Sequence, residues 1–339
     1  MNAEVEELVY LSRYFGTRFD CIQASGGNIS VKNSSGKAYI KSSGCALADL
    51  TLSSNYCIVD IENVNKLLSQ DVPLDEILNL YKSDDSGKRP SMETPLHTIL
   101  PQKYVVHIHP VFILAVINNK NVIRLPEKIS LDCGHLFLNY HRPGIDLAKM
   151  LLNAEEIDKD KNFSVFLKNH GFIFAGNGLE DVVGSIEACL ESFEMYLGAE
   201  NPYRFTSEIQ RQASKILGQT NCVIQRDFQK FQNHRPKFFS PDDVVYMGAS
   251  IYVCKDQNSV DLASFYNENG FIPSLIRVQD TYYALSSNIL GCYKILDQLE
   301  SNLFLQDMVN ENEKLIELDS KEVSFLANWD VEKYRLEKS

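Results

Sequence analysis

Three things are scarce in this chain of 339 residues, and each scarcity excludes something. Basic residues are outnumbered, with 33 Lys and Arg against 45 Asp and Glu, a formal net charge of −12 and a pI near 5.1. Such a surface repels polyanions, so nucleic acid is excluded as a partner, and any phosphate must be met by local donors. Long apolar runs are absent: none approaches the roughly 20 residues of a membrane span, and no membrane partner is expected. The opening MNAEVEELVY lacks the basic-then-apolar order of a secretion signal, which points to a cytoplasmic protein. Paired cysteines are missing too. The eight that exist are scattered without a C-x-x-C pair, which is neither a disulfide framework nor a zinc finger, so reduced and mostly buried thiols are expected.

What is present fits a globular protein, with 44% apolar and 23% charged residues in a length suited to one large domain or two ordinary ones. Val5, Leu8, Val9 and Phe15 recur at helical spacing before Gly16 and predict a first amphipathic helix. Ile29 to Lys32 and Ala38 to Lys41 read as strands around the Asn33-Ser34-Ser35-Gly36 turn. Leu74 to Tyr81 reads as a helix and Lys82 to Arg89 as a surface loop. Tyr104 to His109, Val165 to Leu167 and Phe172 to Phe174 read as strands, and Leu179 to Leu197 as a long helix. This mixture predicts an α/β or α+β sheet covered by helices over about the first 200 residues. Beyond Asn201 the character changes. Arg204 to Gln232 reads as polar helix, Val244 to Tyr246, Ser250 to Cys254 and Leu275 to Leu285 as strands, and Ile289 to Leu303 as a helix face. Residues 201 to 339 are therefore expected to form a smaller α+β extension, without repeats or low-complexity segments.

The most informative segment is Tyr104-Val105-Val106-His107-Ile108-His109-Pro110. Side chains two apart on a strand share a face, so both imidazoles reach one ion. Two such histidines serve as often in packing as in ligation, and their company decides. His170, in the Asn169-His170-Gly171 turn between two apolar strands, is a third candidate ligand, with Gly171 free to take a positive φ. Three protein ligands with one position left open is the usual arrangement of a catalytic zinc site.

In Ser91-Met92-Glu93-Thr94-Pro95-Leu96-His97, Ser91 reads as an N-cap, Pro95 falls in the tolerant first turn, and Glu93 and His97 share one face. The competing reading of that pair is an ordinary surface contact. Ala24-Ser25-Gly26-Gly27-Asn28-Ile29-Ser30 and Ser42-Ser43-Gly44 offer backbone N–H groups and hydroxyls to an anion, although segments of this kind are more often plain turns. Gly176-Asn177-Gly178 lacks the third glycine of a dinucleotide fingerprint and reads as a turn opening a helix. His135 and His141 read as structural, and nothing is assigned to His234.

Taken in order, Gly27-Asn28-Ile29-Ser30, Ser42-Ser43-Gly44, Ser91-x-Glu93-x-x-x-His97, His107-x-His109 and Asn169-His170-Gly171 resemble the class II aldolase/adducin family over about residues 1 to 200. The resemblance implies a three-layer α/β/α fold with a central, mainly antiparallel sheet, often assembled as a ring of four. It implies that His107, His109 and His170 bind Zn2+ or another divalent metal and that Glu93 is the catalytic acid/base. It also implies that Gly27, Asn28, Ser42, Ser43, Gly44 and Ser91 line the pocket for a small sugar or sugar phosphate. Phe239-Ser240-Pro241-Asp242-Asp243-Val244-Val245 and Asn328-Trp329-Asp330-Val331-Glu332-Lys333-Tyr334-Arg335 resemble segments of bacterial bifunctional rhamnulose-phosphate aldolase/alcohol dehydrogenase proteins. There they precede a dehydrogenase domain. No glycine-rich βαβ unit follows here, so no nicotinamide chemistry is expected. One departure stands out: the family's donor tyrosine follows the H-x-H strand closely, whereas the first tyrosine after His109 is Tyr140.

The expected reaction is retro-aldol cleavage of a ketose through a metal-stabilised enediolate, with Glu93, its pKa lifted by its surroundings, moving the proton. Epimerisation, dehydration or decarboxylation on the same site is the alternative, and a non-catalytic adducin-like module, typically without the histidines, is a third reading.

Overall fold

A computed structural model describes residues 2–83, 87–152, 157–309 and 315–328. The chain divides into two compact units, Met1–Pro202 and Tyr203–Ser339.

The first unit contains α1 (Ala3–Gly16), β1 (Asn28–Lys32), β2 (Lys37–Lys41), β3 (Tyr56–Asp60), α2 (Ile61–Ser69), α3 (Leu74–Asn79) and α4 (Thr94–Ile99). It continues with β4 (Tyr104–Ile108), α5 (Val111–Ile117), β5 (Gly134–Leu138), α6 (Ile145–Leu152), β6 (Phe163–Leu167), β7 (Gly171–Gly176) and α7 (Leu179–Leu197). Its seven strands form one sheet in the order β3-β2-β1-β4-β7-β6-β5. All pairings are antiparallel except β5 with β6.

Period-two alternation then places helices on both faces. Val106, Ile108, Phe172 and Phe174 pack on α1, α5 and α7. Val105, Ile173 and Ala175 face the opposite way, onto Leu96 and Leu100 around α4 and Leu147 and Leu151 of α6. Farther along that face, Ala38 and Ile40 pack on α2 and α3. This is a three-layer α/β/α arrangement around a mainly antiparallel sheet. β4, at its centre, is wholly buried and hydrogen-bonded on both sides.

Helix α1 is capped by the Asn2 side chain, which accepts from the N–H groups of Glu4 and Val5. Helix α7 ends at Gly198, whose φ of 61° supplies the left-handed cap. The turn between β6 and β7 differs from expectation. Its positive φ, 60°, belongs to Asn169 and not to Gly171, because asparagine tolerates the left-handed region.

The second unit comprises α8 (Arg204–Leu217), β8 (Cys222–Asp227), α9 (Pro241–Met247), β9 (Tyr252–Cys254), α10 (Leu262–Asn269), β10 (Leu275–Val278), β11 (Thr281–Ser286), α11 (Ile289–Met308) and α12 (Ser320–Asn328). Its four strands run in the order β8-β11-β10-β9. Two expectations fail here. The helix expected over Arg204 to Gln232 stops at Gly218, which takes φ 64°, and the chain resumes as strand β8. Val244 to Tyr246, expected as a strand, lies inside α9. There Ser240 caps the Asp243 N–H, Asp243 reaches back to the Ser240 N–H, and Pro241 opens the helix, so start signals outweigh the β-branched pair.

All eight cysteines are free, and every one but the half-buried Cys133 is buried. Among the described residues no helix is long and apolar enough to cross a membrane. Segment 329–335, singled out in the sequence, lies outside the described residues, as do residues 84–86 of the expected surface loop.

Asp243 is the polar centre of the second unit. It is buried and accepts from the backbone of Phe239 and Ser240 and from the side chains of Gln298 and Asn302. Removing it strands several donors, whereas Ser240→Ala removes one cap. Asp243→Ala is expected to cost more than about 2 kcal/mol and Ser240→Ala about 1 kcal/mol. Urea unfolding followed by circular dichroism checks both.

Candidate metal centre

The sequence separates His107, His109 and His170, and the sheet brings them together. One ring nitrogen from each lies within 4.8 Å of the other two. The Nε2 atoms of His107 and His109 are 3.1 Å apart. A tetrahedral ion about 2.0–2.1 Å from each nitrogen requires nitrogens roughly 3.3 Å apart, so this pair has the spacing of two ligands.

The ring of His107 is oriented from behind. Its Nδ1 lies 3.2 Å from the Phe172 carbonyl oxygen, which only accepts, so Nδ1 carries the hydrogen and Nε2 turns a lone pair toward the cluster. Burial lowers the His107 pKa, and it pushes that of His109 down to about 3. These rings are therefore neutral at pH 7, the state in which imidazole ligates a metal.

Glu93 sits against them. Its Oε1 is 3.1 Å from His170 Nε2 and its Oε2 is 3.4 Å from His107 Nε2. Asn28, opposite His107 in the β1–β4 register, donates from Nδ2 to Glu93 Oε2 at 2.6 Å. The sequence predicts a lifted pKa for Glu93, and the structure reverses it. Burial alone would raise the value, but His107, His170 and the Asn28 amide override it and hold the carboxylate ionised.

Local helix geometry also departs from expectation. Glu93 itself occupies the N-cap position of α4, while Ser91 Oγ accepts the Glu93 N–H at 3.3 Å from outside the helix. Glu93 and His97 are both buried, so they are not a surface pair. His97 Nδ1 pairs with Ser30 Oγ at 2.8 Å, and burial pushes its pKa down to about 3.

The glycines show how tightly the cluster is packed. A Cβ on Gly171 would stand 2.7 Å from His109 Cδ2 and 2.9 Å from His107 Cε1, and one on Gly26 would stand 3.0 Å from His109 Nδ1. Gly27 takes φ 65°, and a Cβ there would meet the His107 carbonyl oxygen at 2.7 Å. Orphaned polar atoms point the same way: His170 Nδ1 and Asn28 Oδ1 are buried without a hydrogen-bond partner. Three convergent imidazole nitrogens beside a buried carboxylate suit a divalent cation.

The other predicted residues are more dispersed. Ser42 is buried with Oγ 3.3 Å from Cys57 Sγ, so its hydroxyl is engaged away from the cluster. Ser43 and Gly44 are exposed, and the Ser43 N–H is bound by the Arg89 carbonyl. Tyr140 is exposed beyond β5. His135 is exposed, His141 is half-buried with Nδ1 2.8 Å from the Asn139 carbonyl oxygen, and His234 is half-buried beside Asp307.

Lys41 went unread in the sequence. Its buried Nζ donates to the carbonyls of Ser25, at 3.2 Å, and Cys45, at 2.6 Å, tying the two glycine-serine segments together. Burial lowers its pKa, while Cys45 and Glu93 act in the opposite sense. The only signal was its place directly before Ser42-Ser43-Gly44.

Two outcomes follow from this packing. Gly171→Ala pushes a methyl group into the His107 and His109 rings, and if the cluster holds zinc it should weaken that binding at least tenfold, read by competition with a chromophoric chelator. His97 and His109 have folded-state values near 3, below the unfolded value of about 6.5. Their contribution to stability is complete above about pH 6.5 and lost as pH falls toward 3. The urea midpoint of metal-free protein should therefore fall progressively from pH 7 to pH 4, and a flat profile would contradict neutral buried rings.

The family described as Class II Aldolase and Adducin N-terminal domain matches residues 6–197. Among curated proteins, the uncharacterized oxidoreductase YuxG of Bacillus subtilis (strain 168) is 30% identical over 206 residues, which are 57% of this chain and 29% of that protein. The chain thus spans less than a third of that relative's length. Among solved structures, the N-terminal class II aldolase domain of a conserved protein from Thermoplasma acidophilum aligns with a TM-score of 0.48 and 24% identity, covering 58% of this chain and 95% of that one. The L-fuculose-1-phosphate aldolase from Thermus thermophilus aligns with a TM-score of 0.40 and 19% identity, covering 58% and 95% respectively. The family match covers more than half of the chain and contains every residue of the histidine cluster together with Glu93, and by it this protein belongs to the class II aldolase/adducin family.

Proposed function

We propose that this protein is a metal-dependent aldolase-type lyase that cleaves a small ketose, or its phosphate, by retro-aldol chemistry. The observation that supports this reading best is the meeting of three imidazole nitrogens within 4.8 Å of one another beside the buried Glu93. His107, His109 and His170 are the residues that would hold the ion, Zn2+ or another divalent metal. When bound, such an ion supplies Lewis acidity to a substrate carbonyl and its neighbouring hydroxyl.

The chain's own residues do the rest. Glu93, held ionised, accepts a proton from the substrate and returns it, and Asn28 fixes the orientation of its carboxylate through the 2.6 Å hydrogen bond. Gly27, Ser43, Gly44 and Ser91 form the surroundings that receive the far end of the substrate, with Ser42 buried behind them against Cys57. Lys41, whose charge is felt at Glu93, His107 and His109, favours an anionic group there. Residues 1–200 are the catalytic domain in this reading, 201–339 an accessory extension, and the assembly a homo-oligomer in the cytoplasm.

Epimerisation, dehydration and decarboxylation use the same site, and product analysis separates them. The adducin-like scaffold reading is disfavoured by three intact ligand positions. Protein purified without added metal should contain close to one zinc-class ion per chain by elemental analysis. Ketose 1-phosphates should release a two- or three-carbon fragment. Glu93→Gln should keep the ion and lower turnover by about 10²-fold or more. Metal-free protein that cannot be reconstituted, or undiminished turnover in Glu93→Gln, would falsify this assignment.

A further inference from the structure

The three histidines are not held alike. His107 lies within β4, registered against Asn28 on one side and Ile173 on the other, with its ring fixed by the Phe172 carbonyl. His170 sits in the short turn that β6 and β7 close, its N–H bonded to the Leu167 carbonyl. His109 lies beyond the last residue of β4, where no strand ladder reaches it.

The backbone around His109 is gripped instead by the turn that follows α1. The His109 N–H donates to the Cys21 carbonyl at 2.9 Å, and the Val111 N–H donates to the Asp20 carbonyl at 2.9 Å. Gln23 Nε2 approaches the His109 carbonyl at 3.5 Å. Pro110, between these contacts, has no N–H to offer.

That turn is built on a charged group sealed in the core. Arg18 and Asp20 have no side-chain exposure. The guanidinium contacts both carboxylate oxygens, Nε to Oδ1 at 3.1 Å and Nη2 to Oδ2 at 2.6 Å, the two-pronged geometry of the strongest such pairs. Its Nη1 also reaches Glu187 of α7. Asn201 Nδ2 donates to Asp20 Oδ2 at 2.8 Å and to Glu194 Oε1 at 2.7 Å. The Arg18 carbonyl in turn accepts the N–H groups of Cys21 and Ile22, which closes the turn on itself.

Apolar side chains would fill such a space without the desolvation of several charges, and a buried ion pair is a weak source of stability. What the pair adds is a fixed position. Asp20 is locked by its side chain and, through its own carbonyl and that of Cys21, locks the backbone on either side of Pro110.

We infer that Arg18 and Asp20 are positioning residues of the metal centre, acting through the Cys21 and Asp20 carbonyls to set the place of the His109 imidazole. This rests on the reading that the three histidines bind a divalent ion. Neither side chain reaches a histidine ring: Arg18 holds Asp20, and the carbonyls of Asp20 and Cys21 hold the N–H groups of Val111 and His109. Groups that orient a ligand without binding the metal themselves are worth about 10- to 100-fold in metal affinity.

The test uses the full chain loaded with Zn2+, measured by chelator competition, and with Co2+, whose visible spectrum reports ligand geometry. Arg18→Lys keeps the cation and loses the fork. Asn201→Ala removes one hydrogen bond from Asp20 at a half-buried site and serves where Arg18→Lys fails to fold. Asp243→Asn, in the second unit, is the control for lost stability alone. Arg18→Lys is expected to weaken Zn2+ binding about tenfold or more and to change the Co2+ spectrum, Asn201→Ala to do so less, and Asp243→Asn to leave both unchanged. Folded Arg18→Lys or Asn201→Ala protein with native affinity and spectrum would overturn the inference, and so would the same losses in Asp243→Asn. Absence of metal binding by the unaltered chain would instead remove the metal reading itself.

Discussion

The centre depends on one constraint, the burial of β4 in the middle of a mainly antiparallel sheet. Hydrogen bonds on both edges fix its register, and alternation fixes which side chains face α4. His107 thereby meets Asn28 on the neighbouring strand and Glu93 at the start of α4. A slip of one residue would exchange Val106 for His107 and turn the imidazole into the apolar layer beneath α1 and α7.

Burial has opposite effects on the two kinds of group in the cluster. It suppresses protonation of His107 and His109 and so keeps their lone pairs available. It also penalises the charge on Glu93, yet polar neighbours restore that charge. The site thus directs imidazole nitrogens and one negative carboxylate at a shared point, a combination suited to a cation.

Much of this was legible in the sequence because period and spacing encode it. The H-x-H strand, the β6–β7 turn and helix α7 follow from local patterns, and five ordered motifs together mark the family. The misses are of a different kind. Val244 and Val245 favour a strand by propensity, but the cap written by Ser240, Pro241 and Asp243 decides the matter locally. The pKa of Glu93 depends on His170, far along the chain, and no window of sequence contains both. Lys41 binds backbone carbonyls, which every residue possesses, so its partners leave no trace in residue identity. The same holds for the carbonyls of Asp20 and Cys21 that secure His109.

The order of strands across the sheet has a consequence for biosynthesis. β4 pairs with β1, which precedes it, and with β7, which is made much later, after β5 and β6. Asn28, Glu93, His107 and His109 have all left the ribosome before His170 and its turn exist. A nascent chain therefore offers at most two of the three nitrogens for a long interval, and closing the distant β4–β7 pairing is slow because loop entropy opposes it. Convergence of the three imidazoles therefore belongs to the end of folding, after the last strands of the sheet have been made.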